Sequence, residues 1–315
     1  MTLYILRRLG FLVVTVLLTS LLIFAVTRLL PGDVARVILG REAGEAALQE
    51  LREDLGLDRP APVQYAAWLR GLVTGDWGTS YSTRQEIAPL VWQRLRNSLL
   101  LAGLTLLLAT PLGIGLGVAA ALREDSWVDN LIGIVSLSVV GLPEFVTGLV
   151  LIQVLSFSLG LFPANSSIRP EATVGEALPM LILPALTATL VLLAYFARLT
   201  RAGVIEELHK QYVRTATVKG IPRRLVIGRH VLRNALMPTV TVLAISFGWL
   251  VSGLVVVENV FNYPGLGRLL VFAVDRRDLP LIQAISMVTA VGYAGANLVA
   301  DLLYALLNPR VRYGR

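Results

Sequence analysis

Residues 98–122 read SLLLAGLTLLLATPLGIGLGVAAAL, and no residue in this stretch carries a charge. An α-helix rises about 1.5 Å per residue, so about 20 apolar residues cross the roughly 30 Å of hydrocarbon in a bilayer. The stretch is therefore long enough to span a membrane. The composition agrees, because 55% of the 315 residues are hydrophobic and only 16% are charged, against about 25% charged residues in a typical soluble domain.

Five further stretches are long and apolar enough to be spans. The six predicted spans are residues 9–26, 98–122, 131–157, 178–197, 238–257 and 281–300. The first is too long for a signal-peptide core of about 7–15 residues, and no small-residue cleavage site follows it. We therefore expect an all-α, polytopic membrane protein with six transmembrane helices, the first of them uncleaved.

Basic residues fall mainly on one side of these spans. That side carries 15 Lys and Arg, nine of them in segment 198–236, whereas the short loops of the opposite side carry four. Because cytoplasmic loops are enriched in Lys and Arg, we expect both termini in the cytoplasm (N-in/C-in). The net charge of +7 therefore resides in one cytoplasmic segment, which favours a protein or lipid partner over nucleic acid.

The spans divide the chain into four parts. The predicted parts are a first transmembrane helix with its cytoplasmic N-terminus (1–30), an external helical segment (31–97), a domain with five transmembrane helices (98–307) and a cytoplasmic tail (308–315).

The external segment has two apolar stripes at helical spacing. The first comprises Leu48, Leu51 and Leu55, and we expect Pro60 and Pro62 to end its helix. The second stripe leads into the second span, and between the two lies a turn. The second stripe is Ile87, Leu90, Val91 and Leu95, and the turn is Gly75-Asp-Trp-Gly78. The segment either packs against the bundle or docks an external partner.

Segment 198–236 predicts two short amphipathic helices that meet at a corner. Gly220 suits a left-handed helix end, and Pro222 suits the first position of the next helix. The expected apolar faces are Val204, Leu208, Tyr212 and Ala216 on the first helix, and Leu225, Gly228, Leu232 and Ala235 on the second. Three interpretations compete: a helix pair on the lipid surface, a DNA-reading helix-turn-helix, or a surface that inserts into a cytosolic protein. The DNA reader is disfavoured because both ends are tethered to spans.

Catalytic motifs are missing from the sequence. There is no Gly-x4-Gly-Lys-Ser/Thr phosphate-binding loop, and the only lysines are Lys210 and Lys219. The chain has no cysteine and two histidines, His209 and His230, both in the cytoplasmic segment. An intramembrane Ser–His dyad and a zinc site therefore lack their residues. We expect a chain that is not an enzyme, with any ATP hydrolysis on another polypeptide.

The cytoplasmic corner resembles a known family. Residues 212–220, Tyr-Val-Arg-Thr-Ala-Thr-Val-Lys-Gly, are similar to the EAA loop of permease subunits of binding-protein-dependent ABC importers. Within that family they resemble more closely the loop of the B-type permeases of dipeptide, oligopeptide, glutathione and nickel importers. Further similar blocks, in family order, are residues 4–9, 30–33, 55–58, 75–78, 230–235, 258–268 and 308–310. Arg214 and Thr215 replace the Glu and first Ala of the generic loop, so the role of that Glu is not transferred to Arg214.

The resemblance implies a type I ABC importer permease fold in the bacterial inner membrane, with no cofactor or metal on this chain. The implied partners are a homologous C-type permease, two ATPase subunits that hold ATP and Mg, and an external solute-binding protein. The implied ATPase-coupling residues are Tyr212, Arg214, Thr215, Ala216, Lys219 and Gly220. The outer-loop signature of the family corresponds to Glu258, Phe261, Pro264, Gly265, Gly267 and Arg268. The expected substrates are peptides, with nickel, glutathione or another solute as alternatives.

Within the third predicted span, Pro143, Glu144 and Phe145 are candidates for the substrate pathway. A carboxylate at membrane depth is costly, so such groups usually face a cavity or a partner. Glu144 therefore either meets a cationic part of the substrate or bonds to a neighbouring helix. In the second span, Gly113 and Gly117 form a small-xxx-small pair that predicts close helix packing.

Two other functions compete with the importer subunit. A secondary transporter without an ATPase partner would need internal repeats and charged residues in its core, and the sequence has no evident repeat. A membrane scaffold that transports nothing is the second.

Overall fold

The computed structural model describes residues 2–29, 34–39, 42–54, 56, 58–168 and 173–307. In these ranges the chain is helical, and the only strand-like pairing is an isolated bridge between Thr79 and Glu86. The prediction of an all-α fold is confirmed. The predicted segments 30–33 and 308–315 and the stripe residue Leu55 lie outside the described residues.

The helices follow one another in chain order. They are α1 (Thr2–Leu29), α2 (Val34–Leu39), α3 (Glu45–Asp54), α4 (Ala61–Thr74), α5 (Ile87–Ala121), α6 (Trp127–Gly141), α7 (Glu144–Leu151), α8 (Val174–Leu208), α9 (Gln211–Val218), α10 (Arg223–Leu225), α11 (Leu232–Ala235), α12 (Met237–Gly253), α13 (Val255–Val260), α14 (Leu266–Asp275) and α15 (Leu279–Leu307). Two π-helical segments, Ile152–Ser158 and Val226–Val231, continue α7 and α10.

Four of these helices, α1, α5, α8 and α15, are individually long and apolar enough to cross a membrane. Two bent pairs bring the number of possible spans in the described chain to six: residues 127–141 with 144–158, and residues 223–235 with 237–250. The third predicted span is therefore broken, with an angle of 108° between its halves. The break falls at Leu142, whose extended backbone (φ −90°, ψ 137°) precedes Pro143, as proline disfavours a helical residue before it.

The chain divides into two compact units. The first unit comprises residues 1–98 and 264–295, and the second comprises 99–263 and 296–315. The predicted external segment thus shares a unit with a distant part of the sequence.

In the first unit, α4 packs against α1 through aromatic rings. Phe24 and Tyr65 meet edge to face with 5.4 Å between ring centroids, and the Tyr65 hydroxyl lies 2.7 Å from Ser20 Oγ. The expectation that Pro60 and Pro62 end a helix was wrong. Helix α3 ends earlier, at Asp54, and Pro60 caps α4 with Pro62 in its first turn, where the missing N–H costs nothing.

The two other features predicted for the external segment are confirmed. Gly75 (φ 85°) and Gly78 (φ 73°) form the turn after α4. The second stripe begins α5, where Ile87 and Val91 are fully buried. They form a core with side chains of α14 and α15, namely Leu266, Leu269, Ala273, Leu281, Ile282, Ala284 and Ile285.

In the second unit, α5 packs closely on α8 through Gly113 and Gly117. A Cβ added at Gly113 would lie 2.7 Å from Phe196 Cβ, and one at Gly117 would lie 2.5 Å from the carbonyl oxygen of Ala197. The small-xxx-small prediction is therefore confirmed. The core of this unit includes Leu101, Ala109, Leu183, Ala188, Phe196, Leu250, Phe261 and Tyr263.

The cytoplasmic corner as candidate coupling site

Helix α8 leads directly into the cytoplasmic segment, but it does not continue through it as expected. It ends at Leu208, and a new helix, α9, begins at Gln211 after Lys210 adopts an extended backbone (φ −73°, ψ 146°). The predicted single helical face over residues 204–216 is therefore wrong. Even so, Val204, Val213 and Ala216 are buried in the same cluster. The direction of the chain changes at the break, but the apolar side of α9 still packs in the cluster that contains Val204 of α8.

The corner itself is formed as predicted. Lys219 caps the end of α9, and Gly220 takes the left-handed conformation with φ 77°, which a residue with a Cβ adopts only with strain. Pro222 caps α10, one position before the first helical residue where we expected it.

The apolar face of the second helix differs from the prediction. Leu225 is 55% exposed and Gly228 is exposed, whereas Val226, Val231 and Ala235 are buried. Residues 226–231 form a π-helix, in which hydrogen bonds span five residues instead of four. Within the π-helix the buried positions Val226 and Val231 are five residues apart, so the register predicted for an α-helix does not apply there.

The predicted coupling residues divide between exposed and buried positions. Arg214, Thr215, Lys219 and Gly220 are exposed, Tyr212 is half-buried and Ala216 is buried. Val218, beside them at the end of α9, is 82% exposed. The corner therefore presents a basic surface with one apolar side chain at its tip.

A buried carboxylate that sequence reasoning missed holds the corner in place. Glu207, at the end of α8 and only 8% exposed, accepts hydrogen bonds from the Tyr212 hydroxyl and from Lys210 Nζ. The Asn234 side-chain amide of α11 donates to the same Tyr212 oxygen at 3.4 Å. These bonds connect α8, α9 and α11 around one phenol.

The surroundings keep Tyr212 protonated and Lys210 charged. Burial, and then the hydrogen bond to Glu207, raise the pKa of Tyr212. Hydrogen bonds to Glu207 and Glu206 raise the pKa of Lys210. The sequence signal was the acidic pair at 206–207 followed three residues later by a lysine, a spacing that permits an ion pair on a helix.

The backbones of α8 and α11 approach closely behind the corner. A Cβ at Gly203 would lie 2.6 Å from the carbonyl oxygen of Ala235. One turn earlier, the buried hydroxyls of Thr200 and Thr239 are 3.2 Å apart. The segment behind the corner is therefore in contact with α8 at both α11 and α12.

The candidates for the substrate pathway lie at the break in the third predicted span. Pro143 caps α7 and Glu144 is its first residue. The Glu144 Oε1 atom is buried and has no hydrogen-bond partner among the described residues, whereas Phe145 is 48% exposed. The structure therefore places Glu144 at a helix end, not in the middle of a continuous helix.

The outer-loop signature divides between the two units. In the second unit Glu258 and Phe261 are buried, and the Phe261 carbonyl accepts a hydrogen bond from the Ser166 amide at 2.8 Å.

The remainder of the signature lies in the first unit. The Pro264 carbonyl accepts a hydrogen bond from Asn97 Nδ2 at 2.8 Å, and Gly265 caps α14. Gly267 and Arg268 lie in the first turn of that helix. Pro264 and Gly265 therefore have local structural roles at the start of α14.

Comparison with known proteins agrees with this architecture. Residues 113–313 match the family described as binding-protein-dependent transport system inner membrane component. Residues 1–102 match the corresponding N-terminal family.

The full length of the chain is similar to curated permeases. It is 39% identical over 311 residues to the glutathione transport system permease protein GsiC of Escherichia coli (strain K12), covering 98% of this chain and 99% of the relative. The GsiC proteins of Salmonella paratyphi A and Pectobacterium atrosepticum have the same identity and coverage. The chain therefore belongs to the family of binding-protein-dependent transport system inner membrane components, as an inner-membrane permease subunit of an ABC importer.

Proposed function

We propose that this chain is the B-type permease of an importer of short peptides and forms half of its translocation pathway. The proposed partners are a C-type permease, two ATPase subunits and an external solute-binding protein. ATP and Mg would bind the ATPase subunits, and this chain would carry no cofactor. The names of the similar permeases support a peptide substrate, because glutathione is itself a tripeptide.

The observation that carries the proposal is the corner between α9 and α10. Its tip is exposed and basic with an apolar side chain at Val218, and its base is fixed by the Glu207 hydrogen bonds and by a buried apolar cluster. A surface of this kind suits insertion into a groove of a cytosolic protein, since apolar contact supplies affinity and surrounding charge supplies orientation. Neither a helix pair on the lipid surface nor a DNA-binding helix-turn-helix requires a base that is fixed in this way to a membrane-spanning helix.

The mechanism we propose is alternating access. Closure of the ATPase subunits on ATP displaces the corner, and the contacts at Gly203 and Glu207 transmit this displacement to α8 and α11. The latter leads directly into α12. The chain supplies a pathway and a mechanical link and performs no covalent chemistry, so its residues need only hold their positions while the helices move.

Substitution at the corner tests this mechanism. Gly220→Glu should abolish uptake while membrane insertion is kept, because it strains the left-handed position and places an acid in a basic surface. A bulky replacement of the buried Ala216 should have the same effect. Gly228→Glu is the matched control, since this exposed glycine in the same segment has open space around it. Normal uptake by the Gly220→Glu complex would contradict the proposed coupling role.

Glu144 is proposed to face the pathway and to meet the cationic amino group of a peptide. Its buried, unpartnered carboxylate oxygen supports this assignment, because a polar atom buried without a partner is costly unless a ligand satisfies it. Uptake by a complex with Glu144→Gln should require a higher peptide concentration. Unchanged uptake kinetics would remove Glu144 from the pathway.

A competition assay tests the substrate class. Uptake of a labelled dipeptide into vesicles that contain the complex should be inhibited by unlabelled di- and tripeptides, including glutathione. Inhibition by a nickel chelate alone would assign the permease to the nickel branch of the family. Failure of any solute to stimulate ATP hydrolysis would favour a scaffold that transports nothing.

A further inference from the structure

A buried carboxylate joins two loops in the first unit that are far apart in sequence. Asp278 is fully buried, and its Oδ2 atom accepts hydrogen bonds from Ser80 Oγ at 2.6 Å, from the Ser82 amide at 2.9 Å and from Ser82 Oγ at 2.7 Å. The loop at residues 80–84 is thereby fixed to the turn that precedes α15. These hydrogen bonds hold side chains of the two segments close to one another.

The joined segments enclose a cavity of about 470 Å³, which we call the arginine cleft. It is lined by Tyr81, Ser82, Arg84, Phe272 and Arg276. Arg276 lies over the Phe272 ring, with its guanidinium carbon 5.9 Å from the ring centroid. The cleft is therefore an amphipathic pocket with two cationic groups, and its lining contains no acidic residue.

The two arginines of the cleft have no acidic partner within the part of the chain that the structure describes. The nearby Asp278 already accepts three hydrogen bonds at Oδ2 and one at Oδ1, and the neighbours Glu86 and Asp275 are exposed and lie outside the lining. The Tyr81 hydroxyl remains a donor, because burial and the charge of Asp278 raise its pKa. Three donor side chains thus face one cavity.

The position of these arginines is unusual in two respects. Arg276 lies in a short loop predicted to face the outside, where membrane proteins usually carry few basic residues, whereas Arg84 lies in the long external segment. In addition, Arg84 adopts a left-handed backbone with φ 58°, which is uncommon for a residue other than glycine. Arg84 closes a turn in which its amide donates a hydrogen bond to the Ser80 carbonyl at 3.0 Å, and this turn fixes the backbone from which its side chain lines the cleft.

We propose that the arginine cleft receives an acidic side chain of the external solute-binding protein. Arginine binds a carboxylate through parallel hydrogen bonds, and Tyr81 and Phe272 can accommodate the apolar stem of an Asp or Glu. A free peptide fits less well, because its ammonium group would need an acceptor and the lining of the cleft contains no carboxylate. The proposal rests on the proposed function, since it requires that the importer has an external binding protein.

The test measures how the assembled importer responds to its binding protein. Complexes with wild-type chain, Arg84→Glu, Arg276→Glu and Arg84→Lys are reconstituted in nanodiscs. ATP hydrolysis is then followed as the solute-loaded binding protein that supports uptake is titrated. Size-exclusion chromatography establishes that each complex is assembled. Arg70→Glu is the matched control, because Arg70 is an exposed arginine of the same external segment and does not line the cleft.

We expect Arg84→Glu and Arg276→Glu to raise the half-saturating concentration of binding protein about tenfold, as expected when a charge is reversed in an interface. Arg84→Lys should have a smaller effect, and Arg70→Glu should stay within about twofold of wild type. Lysine substitutions scanned over the acidic surface residues of the binding protein should include one that restores affinity for Arg84→Glu.

Three results would overturn the proposal. In the first, Arg84→Glu and Arg70→Glu behave alike. In the second, Arg84→Glu raises the KM for the solute but leaves the half-saturating binding-protein concentration unchanged, which would make the cleft a solute site. In the third, the difference from wild type disappears in nanodiscs without anionic lipid, which would make it a lipid site. If the wild-type complex responds to no binding protein, the proposed function fails as well, so the two failures are distinguishable.

Discussion

The packing of α5 on α8 allows a prediction with a control on the same helix. Gly117→Ala would place a Cβ 2.5 Å from the carbonyl oxygen of Ala197 and 2.7 Å from Thr200 Cβ. This is about 0.8 Å short of the roughly 3.3 Å at which carbon and carbonyl oxygen normally meet. Since the obstacle is backbone, the two helices must separate. Gly115→Ala introduces the same atom where nothing lies within 4 Å.

The expected magnitudes follow from these distances. Both substitutions gain about 1 kcal/mol of helix propensity, but only Gly117→Ala is overpacked, at a cost of about 1–3 kcal/mol. We therefore expect Gly117→Ala to be less stable than Gly115→Ala by about 1–3 kcal/mol. At roughly 2–4 °C per kcal/mol, the Tm values of the two detergent-solubilised proteins should differ by several degrees.

The informative quantity is the difference in Tm between Gly117→Ala and Gly115→Ala, because the gain in helix propensity and the effect of detergent are the same in both variants. Equal Tm values for the two proteins, or a lower value for Gly115→Ala, would refute the close approach of α5 and α8. Gly113→Ala should behave like Gly117→Ala, since its Cβ would lie 2.7 Å from Phe196 Cβ.

Three further predictions concern the corner and the outer loop. Tyr212→Phe removes a hydrogen-bond donor to buried Glu207 and should reduce the stability of the corner by about 1.5–3 kcal/mol. The amount of solute taken up per ATP hydrolysed should fall, and an unchanged ratio would contradict a mechanical connection between the corner and α8. Val218→Ser should change Tm little, because the side chain is exposed, yet co-purification of the ATPase subunits should weaken; full retention would exclude Val218 from the contact. Asp278→Ala leaves two serine hydroxyls without their acceptor, so limited proteolysis should cleave the 80–84 loop faster than in wild type, and equal rates would disprove its bracing role.

Features set by local sequence were predictable. The length of uncharged stretches is sufficient to identify helices that cross the bilayer, as for α1, α5, α8 and α15. The left-handed Gly220 followed by Pro222 also depends only on the conformational limits of these two residue types, and the structure has the turn there.

Features that depend on partners distant in sequence were not predictable. In the sequence, Asp278 has no feature that distinguishes it from other acidic residues in loops. Only the folded structure brings it into contact with Ser80 and Ser82. The buried register of residues 226–231 depends on a π-helix, whose wider turn leaves no signature in the hydrophobic pattern. Pro60 and Pro62 illustrate a related ambiguity, because a proline that ends one helix and a proline that begins another have the same sequence signal.

The domain boundaries and the roles of the individual site residues stay predictions, since they concern function and assembly. The exposed positions of Arg214 and Lys219 are compatible with a partner contact, but they are equally usual for charged residues on any surface. The buried Ala216 and the left-handed Gly220 are the more informative members of the predicted coupling set. Their substitution changes the shape of the corner as well as its charge.

We propose that this chain moves solute only as part of an ATP-driven assembly. The most direct measurement is uptake of a labelled dipeptide into proteoliposomes that contain the purified complex, with ATP inside and the solute-binding protein outside. We predict uptake that requires ATP, the binding protein and this chain together, and that stops when the ATPase subunits cannot hydrolyse ATP. Uptake driven by an ion gradient in vesicles that contain this chain without ATPase subunits would contradict the claim.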